Sequence, residues 1–193
     1  LVPHFQDDSL DCCCPEEIGE QSYHLADAYG LDHDELLTHP MTQRLLRLQT
    51  IVEALQQQTE ADWVGIYRRV VRADGMPVLV KEAYRGKLSR PEFPLKQEFA
   101  CHSNNVTVAL EAKAVIVQNV GDYDGPYYQC DSKVQSEFCV PIIDQNGNAS
   151  GIIDAEAFTP NFFTPEKLRM VAEVAHDLGE VDPLFCDPES SKY

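Results

Sequence analysis

Residues 130–156 constrain this chain more than any other stretch. Gln145-Asn146-Gly147-Asn148 contains Asn-Gly, the strongest short-range hairpin signal. Residues 138–143 and 150–157 are therefore expected to pair as antiparallel strands. Side chains alternate along a strand, so Asp154 and Glu156 point to one face. Two carboxylates inside an apolar run are costly unless that face is wet or receives a positive group. Glu137 stands at the mouth of the first strand, and Cys130 lies in the loop before it. Each residue also has a plainer reading. A lone cysteine before a strand is commonly a small buried hydrophobe. Acids two apart commonly mark the solvated face of an antiparallel sheet. The conjunction of a thiol and three acids around one hairpin points to a site.

The chain of 193 residues suffices for one domain with a sizeable core, or a domain with an extension. Its formal charge of −17 argues against nucleic acid or an anionic membrane as partner. Small-molecule and protein partners fit that charge. No apolar run reaches the roughly 20 residues of a membrane span, and no signal-peptide pattern is visible. The seven cysteines are odd in number and irregularly spaced, which is not a secreted disulfide framework. Reduced thiols in a cytoplasmic protein are expected. No CxxC pair occurs and the histidines lack zinc spacing, so no metal site is expected, nor any cofactor.

Residues 1–40 stand apart. They carry Asp7, Asp8, Asp11, Glu16, Glu17, Glu20, Asp27, Asp32, Asp34 and Glu35 without a single Lys or Arg. Such a run reads as a solvated or mobile acidic extension, with some helix over residues 16–29. Cys12, Cys13 and Cys14 read as exposed, oxidisable thiols, since adjacent cysteines wrap a tetrahedral metal poorly.

Residues 41–58 predict a helix: Met41, Leu45, Leu48, Val52 and Leu55 form one apolar stripe. Thr38 or Pro40 is expected to start it. The stripe fits packing on the domain's own sheet, and a homodimer seam is the second reading. Strands are expected over 62–71 and 77–84, joined by the turn at Asp74-Gly75, then a polar loop, a short helix over 105–112 and a strand over 115–120. Thr164-Pro165-Glu166 has the N-cap, first-turn proline and acid of a helix start, and Gly179 is expected to end that helix. Hairpin connections dominate this order. They predict an α+β domain: a mostly antiparallel sheet, flanking helices on one face and loops over the other. The division expected is an extension over 1–40, a domain over 41–182 and a tail over 183–193.

The sequence Cys130-Asp131, then Ser136-Glu137-Phe138-Cys139-Val140-Pro141, then Gly151-Ile152-Ile153-Asp154-Ala155-Glu156 resembles a GAF domain. Within that superfamily it is most similar to the free methionine-R-sulfoxide reductases. Trp63-Val64-Gly65-Ile66-Tyr67 resembles the family's first strand. The resemblance implies a closed pocket on one sheet face that holds a free amino acid. It implies that Cys130 is the nucleophile and that Trp63, Tyr67, Glu137, Asp154 and Glu156 line the pocket. Glu156 stands where the family usually has Asp. The family's first-loop cysteine has no counterpart between Gly86 and Leu95. Its second is matched by Cys101 or by Asn105, depending on whether the loop is aligned from its start or counted back from Val120.

Two functions follow as expectations. In the first, Cys130 attacks the sulfoxide sulfur and a neutral carboxyl such as Glu137 protonates the departing oxygen. Asp154 and Glu156 bind the ammonium, and Trp63 and Tyr67 hold the methyl-sulfinyl end. Cys101 resolves the resulting sulfenic acid, and a thioredoxin-like reductant closes the cycle. In the second, the domain binds or senses a small ligand or oxidant without turnover.

Overall fold

The computed structural model describes residues 2–3 and 22–186. A short antiparallel pair, β1 (Val2–Pro3) with β2 (Ser22–Tyr23), precedes the helices α1 (Leu25–Tyr29), α2 (His33–Thr38) and α3 (Pro40–Thr59). Then follow β3 (Trp63–Val71), β4 (Pro77–Arg85), β5 (Glu92–Pro94), α4 (Gln97–Ala100), α5 (Asn104–Glu111), β6 (Val115–Val117), β7 (Ser136–Ile143) and β8 (Ala149–Ala157). Helices α6 (Pro165–Val181) and α7 (Pro183–Cys186) close the described chain. The main sheet has six strands in the order β5-β4-β3-β8-β7-β6, and every neighbouring pair is antiparallel. This is the expected α+β architecture.

The central hairpin forms as its sequence predicts. Phe138 faces Ala155 and Val140 faces Ile153 across the β7–β8 ladder. Asp144 accepts from the amides of Asn146 and Asn148, both at 2.8 Å, and Gly147 takes the left-handed conformation that the turn requires (φ 82°). The helices α3 and α6 lie on the same sheet face. Leu48, Val52 and Leu55 of α3 and Val171, Ala175 and Leu178 of α6 share one buried cluster with Val64, Ile66, Phe138, Ile153 and Ala155 of the strands. The stripe of α3 therefore packs on the sheet of its own domain. Burying each such aliphatic side chain stabilises the fold by about 1.5–3 kcal/mol.

Several local readings change. Helix α3 starts with Pro40, but its cap is His39, whose Nδ1 accepts from the Met41 amide at 3.3 Å. Thr38 instead ends α2. The polar loop after β4 contributes a short edge strand, β5, paired with β4 from Val78 to Val80. The strand expected over 115–120 stops at Val117. Gly179 does not end α6, which runs on to Val181. A Cβ at Gly179 would lie 2.0 Å from the Ile143 carbonyl oxygen, so the glycine serves a close approach of α6 to β7.

The acidic extension is docked where it is described, rather than solvated. Tyr23, Ala28 and Tyr29 are buried in a cluster with Met41, Val70, Val78 and Val80. The Tyr23 hydroxyl donates to Glu92 at 3.0 Å, and the Tyr29 hydroxyl donates to Glu82. Cys12, Cys13 and Cys14 lie outside the described residues, as do residues 16–21 of the span expected to hold some helix; in its described part, α1 is helical. The tail also begins packed: Phe185 is fully buried in the helix-side core.

Candidate active site

The loop-covered face of the sheet carries the site. The register sets Glu137 opposite Glu156, Trp63 opposite Glu156, and Asp154 between Gly65 and Cys139. Because alternate residues share a face, Glu137, Cys139, Asp154, Glu156, Trp63 and Tyr67 all point away from the helices. One carboxylate oxygen each from Glu137, Asp154 and Glu156 lies within 4.8 Å of the other two. All three residues are buried. The structure thus brings together three acids and two aromatic residues expected from the sequence.

Trp63 lies flat because its neighbour is small: a Cβ on Gly65 would come within 2.2 Å of the indole ring. The indole Nε1 donates to the Lys87 carbonyl at 2.9 Å. Tyr67 is 1% exposed, with its ring 6.3 Å from that of Trp63 and 5.7 Å from Phe93. Burial first, then the charges of Asp154, Cys130 and Glu156, push the Tyr67 phenol well up. Tyr67 therefore stays protonated.

Side-chain amides hold two of the acids. Asn104 Nδ2 donates to Glu137 at 2.7 Å, and Asn105 Nδ2 donates to Asp154 at 3.0 Å. Both asparagines open α5, whose Ser103 cap accepts from the Val106 amide at 3.3 Å. Burial, reinforced by the charge of Asp154, raises Glu137 well above the usual carboxylate range, against the hydrogen bonds from Asn104 and Tyr127. Burial also raises Asp154 to about 7, against Asn105 and Lys81. Crowded carboxyls of this kind hold protons near neutrality. A cation entering the cluster would displace them. The three oxygens suit a small cation such as an ammonium.

Two loops cover this face. The loop before β7 supplies Tyr127, hydrogen-bonded to Glu137, and Tyr128, packed on Phe93 and Phe99 at 5.9 and 5.8 Å. The loop after β4 is tied to it by Lys87 and Asp131, 3.2 Å apart. Burial alone would raise the Asp131 carboxyl; the Lys133 amide and Lys87 hold it below its ordinary value. Cys130 is half-buried in this roof and packs against the aromatic cluster of the pocket. Its charge reaches the phenols of Tyr67 and Tyr127.

The other thiols stand elsewhere. Cys139 is fully buried, and burial followed by the charges of Asp154, Glu137 and Glu156 pushes its thiol well up, which leaves it inert. Cys101 is exposed at the C-terminal end of α4, and its thiol donates to the Gln97 carbonyl at 3.6 Å. Of the two residues that could match the family's second cysteine, Asn105 reaches the acids.

Sequence reasoning missed Asn104, Lys81, Ser89 and Tyr127 as residues of this site, and reached Asn105 only as one of two matches to the family's second cysteine. The Ser103 cap signal was available for the asparagines. Nothing local announced Lys81, because a β-bulge aims it. Tyr67 pairs with Lys81 while the preceding Ile66 pairs with Ala83, so Glu82 is the extra residue. The skip lets Leu79, Lys81 and Tyr84 all face the pocket.

A GAF domain model matches residues 43–181, and the chain belongs to the GAF domain family. No curated protein matches it in sequence. Among solved structures, it is similar to a type II free methionine-R-sulfoxide reductase from Thermoplasma acidophilum, at 25% identity over 72% of this chain and 89% of that one, with a TM-score of 0.60. The free methionine-R-sulfoxide reductase from Neisseria meningitidis, solved with its substrate, superposes at 20% identity over 89% and 94%, TM-score 0.61. The GAF domain region of a putative membrane protein from Geobacter sulfurreducens PCA superposes equally well, at 16% identity over 75% and 95%, TM-score 0.61. The likeness thus spans enzymes and other GAF domains. No helix among the described residues is long and apolar enough to cross a membrane.

Proposed function

We propose that the pocket binds a free amino acid with a methyl-sulfinyl side chain, and that Cys130 reduces it. The observation that carries this reading is the convergence of three buried acids beside an aromatic wall, under a loop that contains a half-buried thiol. Asp154 and Glu156 receive the ammonium, which explains selection of a free amino acid over a peptide-bonded residue. Trp63 and Tyr67 hold the methyl-sulfinyl group. The Cys130 sulfur attacks the substrate sulfur, and the S–O bond passes its oxygen to Cys130. The raised carboxyl of Glu137 supplies the proton on that oxygen and regains it from the thiol. Products are the thioether and a sulfenic acid on Cys130. Two external thiols then return Cys130 to the thiol, giving a disulfide and water.

The test is oxidation of NADPH by thioredoxin reductase and thioredoxin in the presence of protein and free methionine-R-sulfoxide. Turnover is expected in the wild type and absent in Cys130→Ser, with ligand affinity kept within a few fold. Turnover that survives in Cys130→Ser removes the thiol mechanism.

A second reading is binding without turnover. It is favoured by the asparagines that face the acids at α5 and by the outward position of Cys101. Mass spectrometry of non-reduced peptides after substrate treatment separates the cases. A Cys101–Cys130 disulfide makes Cys101 the resolver. A sulfenic acid on Cys130 alone makes recycling direct. Unmodified Cys130 under excess substrate, with no reductant present, supports the binding reading.

A further inference from the structure

The wall of the pocket holds a cation that the ammonium-binding reading does not use. Lys81 is 3% exposed. Its Nζ donates to the carbonyl and the hydroxyl of Ser89, both at 2.8 Å, and lies 4.2 Å from the centre of the Tyr84 ring and 5.6 Å from that of Trp63. Ser89 also bonds the Tyr67 hydroxyl, and the charge of Lys81 acts on Asp154. The ammonium is thus fixed at the junction of the aromatic wall and the acid cluster.

That position answers a difficulty. A free amino acid brings an anion as well as a cation. Two like charges about 4 Å apart repel by about 4 kcal/mol at an effective dielectric of 20. A pocket made of carboxylates alone would therefore reject the ligand's own carboxylate. The ammonium and carboxylate of an α-amino acid hang on one carbon, so their receptors must adjoin. Lys81 stands at the Trp63 and Tyr84 rings, and Trp63 pairs with Glu156 of the acid cluster across the sheet. The neighbouring cations are engaged differently: Arg90 lies over Phe93, Phe99 and Tyr128, and Lys87 pairs with Asp131.

We propose that Lys81, positioned by Ser89, receives the α-carboxylate of the bound amino acid and makes the pocket selective for zwitterions over amines and esters. This rests on the amino-acid reading above. A hydrogen bond to a charged group contributes about 1.5–3 kcal/mol, or roughly 10- to 150-fold in affinity.

The experiment is calorimetric titration at about pH 6.5, below the usual range of an α-amino group. Wild type, Lys81→Met and Lys81→Arg each receive methionine sulfoxide, its methyl ester, 3-(methylsulfinyl)propylamine and methionine. The wild type is expected to favour the free acid over the ester and the amine by roughly tenfold or more. Lys81→Met brings those ratios to within about twofold, and Lys81→Arg restores part of them. An unchanged acid-to-ester ratio in Lys81→Met overturns the assignment. So does loss of the sulfoxide-to-methionine ratio instead, which would seat the sulfinyl oxygen on Lys81. Should Lys81→Met not fold, equal wild-type affinity for acid, ester and amine is itself refuting. Failure of the wild type to bind any of the four ligands removes the amino-acid reading along with this one.

Discussion

The two faces of the sheet both bury charge, and they do so with opposite electrostatics. On the helix side, Glu82 is fully buried between two arginines. Arg44 Nη1 bonds one of its oxygens, Arg68 Nε donates to the other at 2.8 Å, and Tyr29 adds a third donor. Arg44 also reaches Asp182 beyond α6 at 3.1 Å. Burial alone would raise Glu82, but Arg44 and Arg68 hold it below the usual carboxylate range. On the loop side, three acids lie together, the charge of Lys81 acts on Asp154, and burial raises Glu137 and Asp154. A matched buried ion ties α1, α3, β3 and β4 together. An under-matched cluster leaves a demand for positive charge that a ligand can meet. The first arrangement serves the fold, and the second is the one that the proposed binding would use.

The largest expected effect breaks the matched side. Glu82→Gln leaves Arg68 without its anion and Arg44 with Asp182 alone, and urea denaturation should show a loss of about 3–5 kcal/mol at neutral pH. Its partner test is Asp154→Asn, which removes charge from the under-matched side. The Asp154 carboxyl sits at about 7 in the fold against an ordinary 3.8, so the folded state binds more protons between those values. Stability from this group is therefore full below pH 3.8 and declines as pH rises to about 7, by a few kcal/mol. Asp154→Asn should flatten that decline in ligand-free protein. The Glu82 contribution runs the other way: present above the ordinary carboxylate range, and lost as pH falls through its lowered value. Equal pH slopes in the two variants would abolish the contrast between the faces.

Ligand binding should sharpen the contrast. A cation entering the acid cluster expels protons, so calorimetry in two buffers of different ionisation enthalpy should show proton release near neutral pH. Release should vanish in Asp154→Asn. Proton uptake would mean that the ligand meets the acids with an acceptor rather than an ammonium.

Gly65→Ala tests the aromatic wall. The added methyl must displace the Trp63 indole, costing about 1–3 kcal/mol of stability and a larger share of ligand affinity. Unchanged affinity would take Trp63 out of the binding wall. The smallest effect is expected from Cys139→Ala, which leaves a small void of about 1 kcal/mol in thermal denaturation and leaves turnover unaltered. Lost turnover with an intact fold would bring a second thiol into the chemistry.

The sequence by itself determined the elements whose signals are local. Asn146-Gly147 set the hairpin, and strand alternation then placed Asp154 and Glu156 on one face. The apolar stripes of α3 and α6 announced which sides of those helices are buried, since period and burial are read within one element. Tertiary structure decided the rest, because it turns on contacts between residues distant in sequence. The bulge at Glu82 is a property of the β3–β4 register, and it alone sends Lys81 to the pocket and Glu82 to the arginines. The packing of α5 over the acids, not its composition, makes Asn104 and Asn105 pocket residues and leaves Cys101 outside. Gly179 looks like a helix end in sequence and becomes a point of close approach only once α6 meets Ile143. The acidic extension reads as solvated by composition, yet Tyr23 and Tyr29 dock it, because two buried aromatic side chains with hydrogen-bonded hydroxyls outweigh the solvation of its exposed acids.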